Sequence, residues 1–329
     1  MRIALPPSID PAAFRDRDPA AALVDLRGET MGTSWCIRFA ARSGVDVAAL
    51  DRAIIARLAG LVAEMSHWAP QSLLSRFNRA AAGTWFALPP DFARCMTQGL
   101  SIARTTDGAF DPAIGRIVDA WGFGASGQPR RPDDAAIAHA RALSGWQRLT
   151  LATQAIATQG AMLHQPGGVA LDLSGIAKGH AVDAVADLLR THGIAHALVE
   201  IGGELVGRGV KPDGDPWWVD LESPPGVVLP PLRIALHGLA VATSGDYRRG
   251  AHTLDPRTGR PIATGVVSAS VIHATAAAAD GFATALSVLG PADGLALASD
   301  LGIAARLVTV IDGREAEHLS PALHAMLDD

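Results

Sequence analysis

The chain is poor in lysine and cysteine, two residue types that often carry recognisable chemistry. Of its 28 basic residues only Lys178 and Lys211 are lysines. Its two cysteines, Cys36 and Cys95, lie far apart and form no C-x-x-C pair, which leaves room for one bridge at most and excludes a zinc framework or a disulfide scaffold as the organising device. Nothing reads as a P-loop, an H-E-x-x-H zinc helix or a G-x-S-x-G nucleophile elbow. Basic residues are scattered, Arg130-Arg131 and Arg248-Arg249 being the dense pairs, and the net charge is −5. That pattern offers no footprint for nucleic acid, so a phosphate-bearing ligand must be met locally. The least polar long window, 261–290, is broken by His273, Asp280, Gly281 and Gly290 and is not expected to be a membrane span. The N-terminal stretch has one early arginine and the short apolar run Ile3-Ala4-Leu5 before prolines and charges. It lacks the apolar region of a secretory signal, so residues 1–20 are expected to be a flexible leader and the protein cytoplasmic.

What is present describes a loop-rich globular protein. The 329 residues are 49% hydrophobic and 19% charged, with 34 glycines and 21 prolines, and that length suggests two units or one large duplicated one. LRGETMGTSWCIRFAA (26–41) reads as one strand, because Trp35, Ile37 and Phe39 alternate with Ser34, Cys36 and Arg38. Leu50, Ile54, Leu58, Leu61, Val62 and Met65 then fall at helical spacing, and Pro70 should stop that helix. SLLSRFN (72–78) reads as a turn or short helix, residues 90–106 as a second helix and DGAFDPAIGRIVDAWGF (107–123) as a structured loop. Residues 126–134 are linker-like, and a helix follows to Ser144.

From about residue 148 strands dominate. LTLA, MLHQ, GVALDLS, HALVEIGG, WWVDLES, HTLDPRTG and GVVSASVIH are candidates, and RIAL with AVAT reads as a hairpin around His237-Gly238. Two helices interrupt them: one over 177–191 with Gly193 just past its end, and TAAAADGFATALSVLG ending at Gly290. This order favours an α+β fold with largely antiparallel sheets, in roughly two interlocked halves, 21–147 and 148–329, that can exchange segments, and shows no repeat of fixed period.

Four places could carry chemistry. In LDLSGIAKGHAVDAVADLLRTHGI (171–194) a strand ends at Asp172, a small-residue turn Ser174-Gly175 follows, and a helix begins near Ala177. Unpaired backbone N–H groups and the positive helix end would face one spot, and Lys178 adds a point charge able to reach a phosphate oxygen in a crowded turn. The plainer alternative has Lys178 extending to solvent and Asp172 capping the turn. Asp280 and Thr284 are i and i+4 in a segment of small side chains, hence on one helical face. A carboxylate and a hydroxyl so placed suit a hard cation such as Mg²⁺, or they serve the helix by dipole stabilisation and back-bonding. His252, before the DPRTG turn, is an acid/base or phosphate-contact candidate among 11 histidines. Trp68, with Ser72, Ser75 and Asn78 downstream, offers either a stacking face with polar neighbours for an aromatic ring system or a core tryptophan at a helix end.

Taken in order, ETMGTSW, MSHWAPQSLLSRFN, DGAFDPAIGRIVDAWGF, LDLSGIAKGHAVD, VEIGGELVGRG, ATSGDYRR, HTLDPRTGRP and AADGFATAL resemble the ApbE family of flavin transferases from about Glu29 to about Gly290. The resemblance implies a duplicated T-fold, with FAD held between the halves and Mg²⁺ on its pyrophosphate. It places Met31, Trp68, Ala109, Phe110, Asp111, Asp172, Lys178 and Leu254 where the family contacts FAD, and the Gly175 carbonyl, Asp280 and Thr284 where it binds the cation. His252 falls where the family carries a histidine implicated in transfer. The implied reaction attaches FMN to a Ser or Thr hydroxyl of an acceptor protein bearing a motif near D-x-x-[ST]-G-A-[ST], and releases AMP. The same residues would equally serve a Mg²⁺-dependent FAD pyrophosphatase, and tight FAD retention without turnover would mark a carrier. Two positions depart from the family pattern: Trp68 stands where tyrosine is frequent, and Gly175 where alanine is often found. Many relatives are exported lipoproteins, unlike the expectation for this chain.

Overall fold

The computed structural model describes residues 1–125, 127, 130–153, 160–245 and 252–327. Part of the expected linker and the residues 246–249 of the ATSGDYRR stretch lie outside the described residues. The chain forms two compact units that interleave along the sequence. The first comprises Met1–Ala59, Lys178–Tyr247 and Thr264–Asp329, and the second Gly60–Ala177 and Arg248–Ala263. The segment bounds are other than 21–147 and 148–329.

The first unit is built on an eight-stranded antiparallel sheet. In spatial order its strands are Arg314–Leu319, Ala304–Ile311, Val266–His273, Ala240–Ser244, Glu204–Arg208, Ala197–Ile201, Thr33–Ala41 and Ala22–Thr30. Its central strands are buried on both faces, which is why they read as near-continuous apolar runs. Ala242, Val271 and Leu307 pack with Ala279, Ala283 and Leu286 of the helix Ala276–Asp300. Their neighbours Val241, Ile272 and Ala304 face the opposite way, onto Trp217, Leu232, Ile234 and Leu236. That second layer is a three-stranded sheet, ordered Arg2–Ala4, Leu232–Leu236, Trp217–Asp220. The architecture is α+β with antiparallel sheets, as the element order predicts.

The structure revises several local expectations. The strand foreseen over 26–41 is a hairpin, because Met31 (φ 51°) and Gly32 (φ 72°) both turn left-handed between Thr30 and Thr33, the geometry of a tight two-residue hairpin loop. RIAL and AVAT do not pair: the chain leaves the three-stranded sheet at Leu236 and enters the large sheet at Ala240. Gly207 permits this crossing, since a Cβ there would sit 2.6 Å from the Leu236 Cβ and carbonyl oxygen. The N-terminal residues expected as a loose leader carry Arg2–Ala4, paired in parallel with Leu232–Ile234, and Ala4 is fully buried. The long C-terminal helix breaks where foreseen, with Gly290 at φ 79° ahead of Pro291.

The second unit contains the helices Leu73–Asn78, Pro90–Thr105, Gly115–Ala120 and Asp134–Ala142. Its sheet orders Trp85–Leu88, Ala161–His164 and Thr150–Ala152. GVALDLS is not a strand among the described residues. Its backbone polar groups find partners elsewhere: the Asn78 amide brackets Leu171, accepting from its N–H at 2.7 Å and donating to its carbonyl at 2.9 Å. Asp172 N–H donates to the Pro112 carbonyl, and the Ala170 carbonyl accepts from Gly115 N–H, both at 2.9 Å. A buried segment thus satisfies its hydrogen bonds without a ladder.

Candidate functional site

In the first unit the helix Ala177–Thr191 brings Lys178 to two carboxylates. Lys178 lies in the first helical turn, and its ammonium is ion-paired with Oε1 of Glu204. Glu204 opens the strand Glu204–Arg208 directly after Gly202 (φ 65°) and Gly203 (φ 101°), a left-handed pair that glycine adopts without steric cost. Asp280, from the helix Ala276–Asp300, accepts the Gly179 N–H at 3.1 Å. The two helices approach closely because residue 179 is glycine: a Cβ would lie 2.2 Å from the Ala276 carbonyl oxygen. Asp183, one turn on from Gly179, accepts the N–H groups of Ala276 and Ala277 at 2.9 Å each. It thereby satisfies two orphan donors at the start of the second helix.

Burial governs the electrostatics here. Glu204 and Asp280 are only 2% and 5% exposed. Burial pushes the Glu204 carboxyl up to about 7, outweighing the nearby Lys178 ammonium, while the Asp280 charge pushes the same way. Burial also raises the Asp280 carboxyl, against the pull of Lys178 and the Gly179 N–H. Oε2 of Glu204 is buried and makes no hydrogen bond. Thr284, half-buried one turn beyond Asp280, adds a hydroxyl on the same helical face. No group of three or more His, Cys, Asp or Glu side chains arranged to hold a metal occurs among the described residues. These donors therefore do not form a dedicated all-protein cage. They fit Mg²⁺, a hard cation commonly held by one or two carboxylates together with substrate phosphates and water.

The second unit holds the other candidates. Asp172 accepts the Ser174 N–H at 2.8 Å, an Asx turn that shapes the Ser174-Gly175 bend. Asp111 is buried with Ala109 and Phe110, and its two oxygens accept from Ala113 N–H at 2.7 Å and Trp146 N–H at 3.0 Å. Burial outweighs these bonds and raises its carboxyl to about 6. Asp111 lines an open pocket of about 430 Å³ with Asp107, Arg141, Trp146 and Arg257. Trp68 is 60% exposed, so it is not a core residue, and His67 lies beside it at 5.0 Å between ring centroids.

Ser72 and Asn78, expected as polar neighbours of a ligand at Trp68, make hydrogen bonds within their own unit. Ser72 caps the helix Leu73–Asn78 by accepting from Ser75 N–H and donates to the Ser66 carbonyl. Asn78 is committed to Leu171. Leu254 is buried and packs with Ile117 and Ala140, while His252, half-buried, precedes the short ladder Leu254–Asp255 with Arg260–Pro261. Met31 occupies the left-handed hairpin position in the first unit, a conformation uncommon for a residue with a Cβ.

Glu204 and Asp183 did not stand out from residue types alone, though both fall inside the stretches VEIGGELVGRG and LDLSGIAKGHAVD. A carboxylate directly after a Gly-Gly turn was the available signal for Glu204. The hexapeptide GFGASG at 122–127 has G-x-G-x-x-G spacing. It follows the helix Gly115–Ala120, not a strand, and so lacks the setting of a dinucleotide-binding turn.

The chain belongs to the ApbE family, whose sequence model matches residues 31–307. It is 35% identical over 318 residues to the FAD:protein FMN transferase of Vibrio cholerae, covering 93% of each chain. Among solved structures it resembles the flavin transferase ApbE from Vibrio cholerae, with a TM-score of 0.84 and 34% identity over 93% of this chain and 99% of that one. It likewise resembles the apo form of the Pseudomonas stutzeri flavinyl transferase ApbE, with a TM-score of 0.85 and 36% identity over 93% and 97% of the two chains.

Proposed function

We propose that this chain is a Mg²⁺-dependent FAD:protein FMN transferase. It is a flavin transferase by kinship with relatives of that name along almost its full length. The observation that carries the chemistry is the meeting of the Lys178 ammonium with the buried carboxylates of Glu204 and Asp280 in one unit. An ammonium beside hard oxygen donors suits a pyrophosphate and its cation, and phosphoryl transfer depends mainly on positioning and charge stabilisation.

Asp280 and Thr284 would hold Mg²⁺, which when bound neutralises pyrophosphate charge. Lys178 holds a non-bridging phosphate oxygen and stabilises the charge that develops there. A Ser or Thr hydroxyl of the acceptor attacks the FMN-side phosphorus. The new O–P bond forms as the bond to the AMP oxygen breaks, and the hydroxyl proton passes to a base for which His252 is the candidate. Trp68, exposed at the surface of its unit, supplies an aromatic face of the kind flavin rings stack on.

The test is turnover of FAD by Lys178→Ala and Asp280→Ala. Both variants should remain folded. Asp280→Ala should lose Mg²⁺-dependent activity, and Lys178→Ala should fall by about 10²-fold or more, the scale for removing one preorganised group at a developing charge. Wild-type rates in either variant would remove that residue from the site.

A further inference from the structure

Glu204 is a member of the cluster whose carboxylate is half used. Its Oε1 holds the Lys178 ammonium, whereas Oε2 is buried without a hydrogen bond, on a side chain 2% exposed. A buried carboxylate oxygen without a donor is unfavourable, and native structures rarely keep one without a reason. Strain does not explain it, because Glu204 sits in regular structure. Its strand lies inside the eight-stranded sheet between Ala197–Ile201 and Ala240–Ser244, in register opposite Ile201. The preceding turn is anchored by Gly202 N–H donating to the Ser34 carbonyl at 3.0 Å. Lys178 is likewise fixed in a helix, and the Asp280 carboxylate is near enough to act on Glu204 electrostatically. The carboxylate is thus held by the sheet, beside a lysine and an aspartate, with an acceptor to spare.

We propose that Glu204 is a positioning residue of the cation site, fixing Lys178 through Oε1 and accepting a hydrogen bond through Oε2 from water on the bound cation. The proposal rests on the flavin transferase reading and deepens it. Outer carboxylates of this kind orient the groups that touch a metal, and their removal typically weakens metal affinity. A Glu204 that served only to neutralise Lys178 would leave cation affinity alone.

The experiment uses the full chain with saturating FAD and Mn²⁺ as the cation probe, reading bound Mn²⁺ by electron paramagnetic resonance. Wild type, Glu204→Gln and Asp280→Asn are compared, with thermal unfolding as the folding check. Glu204→Gln should bind Mn²⁺ about 10-fold more weakly or worse, and Asp280→Asn should lose binding. Turnover of Glu204→Gln should require more Mg²⁺ than wild type, so that the half-saturating cation concentration rises. Should Glu204→Gln unfold, Glu204→Asp, which keeps the charge and withdraws the oxygens by one methylene, is read the same way. Wild-type Mn²⁺ affinity in the Glu204 variant beside lost binding in Asp280→Asn would overturn the proposal and leave the transferase reading standing. Failure of wild type to bind Mn²⁺ would overturn the cation reading and the proposal together.

Discussion

At the residue scale, what decides each side chain is whether its polar atoms are already in use. Ser72 and Asn78 look like ligand-facing groups in the sequence, and both hydrogen-bond to backbone in their own unit. Lys178 and Asp280 were legible because a rare lysine and an i, i+4 Asp-Thr pair stand out against small neighbours. Glu204 was not, because its importance comes from strand order, which places residue 204 beside residue 178. Asp111 carries a pH signature that can be measured. Its carboxyl is raised from an ordinary value of 3.8 to about 6, so the native state favours the protonated form. The resulting stability is fully present below pH 4 and lost as pH rises through about 6, a change on the order of 3 kcal/mol. Urea denaturation of wild type and Asp111→Asn from pH 4 to 7.5 should show the variant gaining relative to wild type across that window. A pH-independent difference would place the shift elsewhere.

At the element scale, the site exists because two helices touch. Gly179 lets the helix Ala177–Thr191 approach the Ala276 carbonyl, and Asp183 caps the partner helix across the same contact. Gly179→Ala should cost about 1–3 kcal/mol or more, since the added methyl meets backbone and not a flexible side chain. It should also weaken the proposed cation site by pushing Asp280 off the Gly179 N–H. Asp183→Ala should cost about 1–2 kcal/mol through loss of the cap. Thermal unfolding checks both, and an unchanged Gly179→Ala protein would mean that the helices can separate freely. Periodicity made these helices visible, and Gly290, expected as the end of the C-terminal one, is where it kinks before running on to Asp300. The hairpin Ala304–Ile311 with Arg314–Leu319 was overlooked despite Asp312-Gly313, both left-handed, which is the sequence pair such turns favour. RIAL and AVAT misled for the opposite reason: two adjacent strands joined by a glycine can belong to different sheets when a third backbone, here at Gly207, lies against the connection.

At the scale of the whole molecule, the α+β class and the family were legible from ordered motifs, while the bounds of the two interleaved units were not, because they depend on contacts far apart in sequence. One such long-range contact ties the N-terminus to the first unit. Glu317 accepts from Arg2 at 2.6 and 2.7 Å and from the buried Arg306 at 2.6 Å. Burial alone would raise the Glu317 carboxyl, but these hydrogen bonds prevail and hold it below its ordinary value. Its stabilising effect is therefore present at neutral pH and lost as the medium is acidified through its depressed folded-state value. Glu317→Gln should cost about 3 kcal/mol or more near pH 7, because Arg306 stays buried without its counter-charge. The gap from wild type should narrow in acid, and a gap constant with pH would contradict the account. The central claim concerns chemistry, and the mass of the acceptor tests it most directly. The protein is incubated with FAD, Mg²⁺ and a peptide bearing the D-x-x-[ST]-G-A-[ST] motif, and peptide mass and AMP are followed together. The account predicts a peptide heavier by one FMN moiety and one AMP released per peptide modified. AMP accompanied only by free FMN, with the peptide unchanged, would contradict it and make the protein a pyrophosphatase.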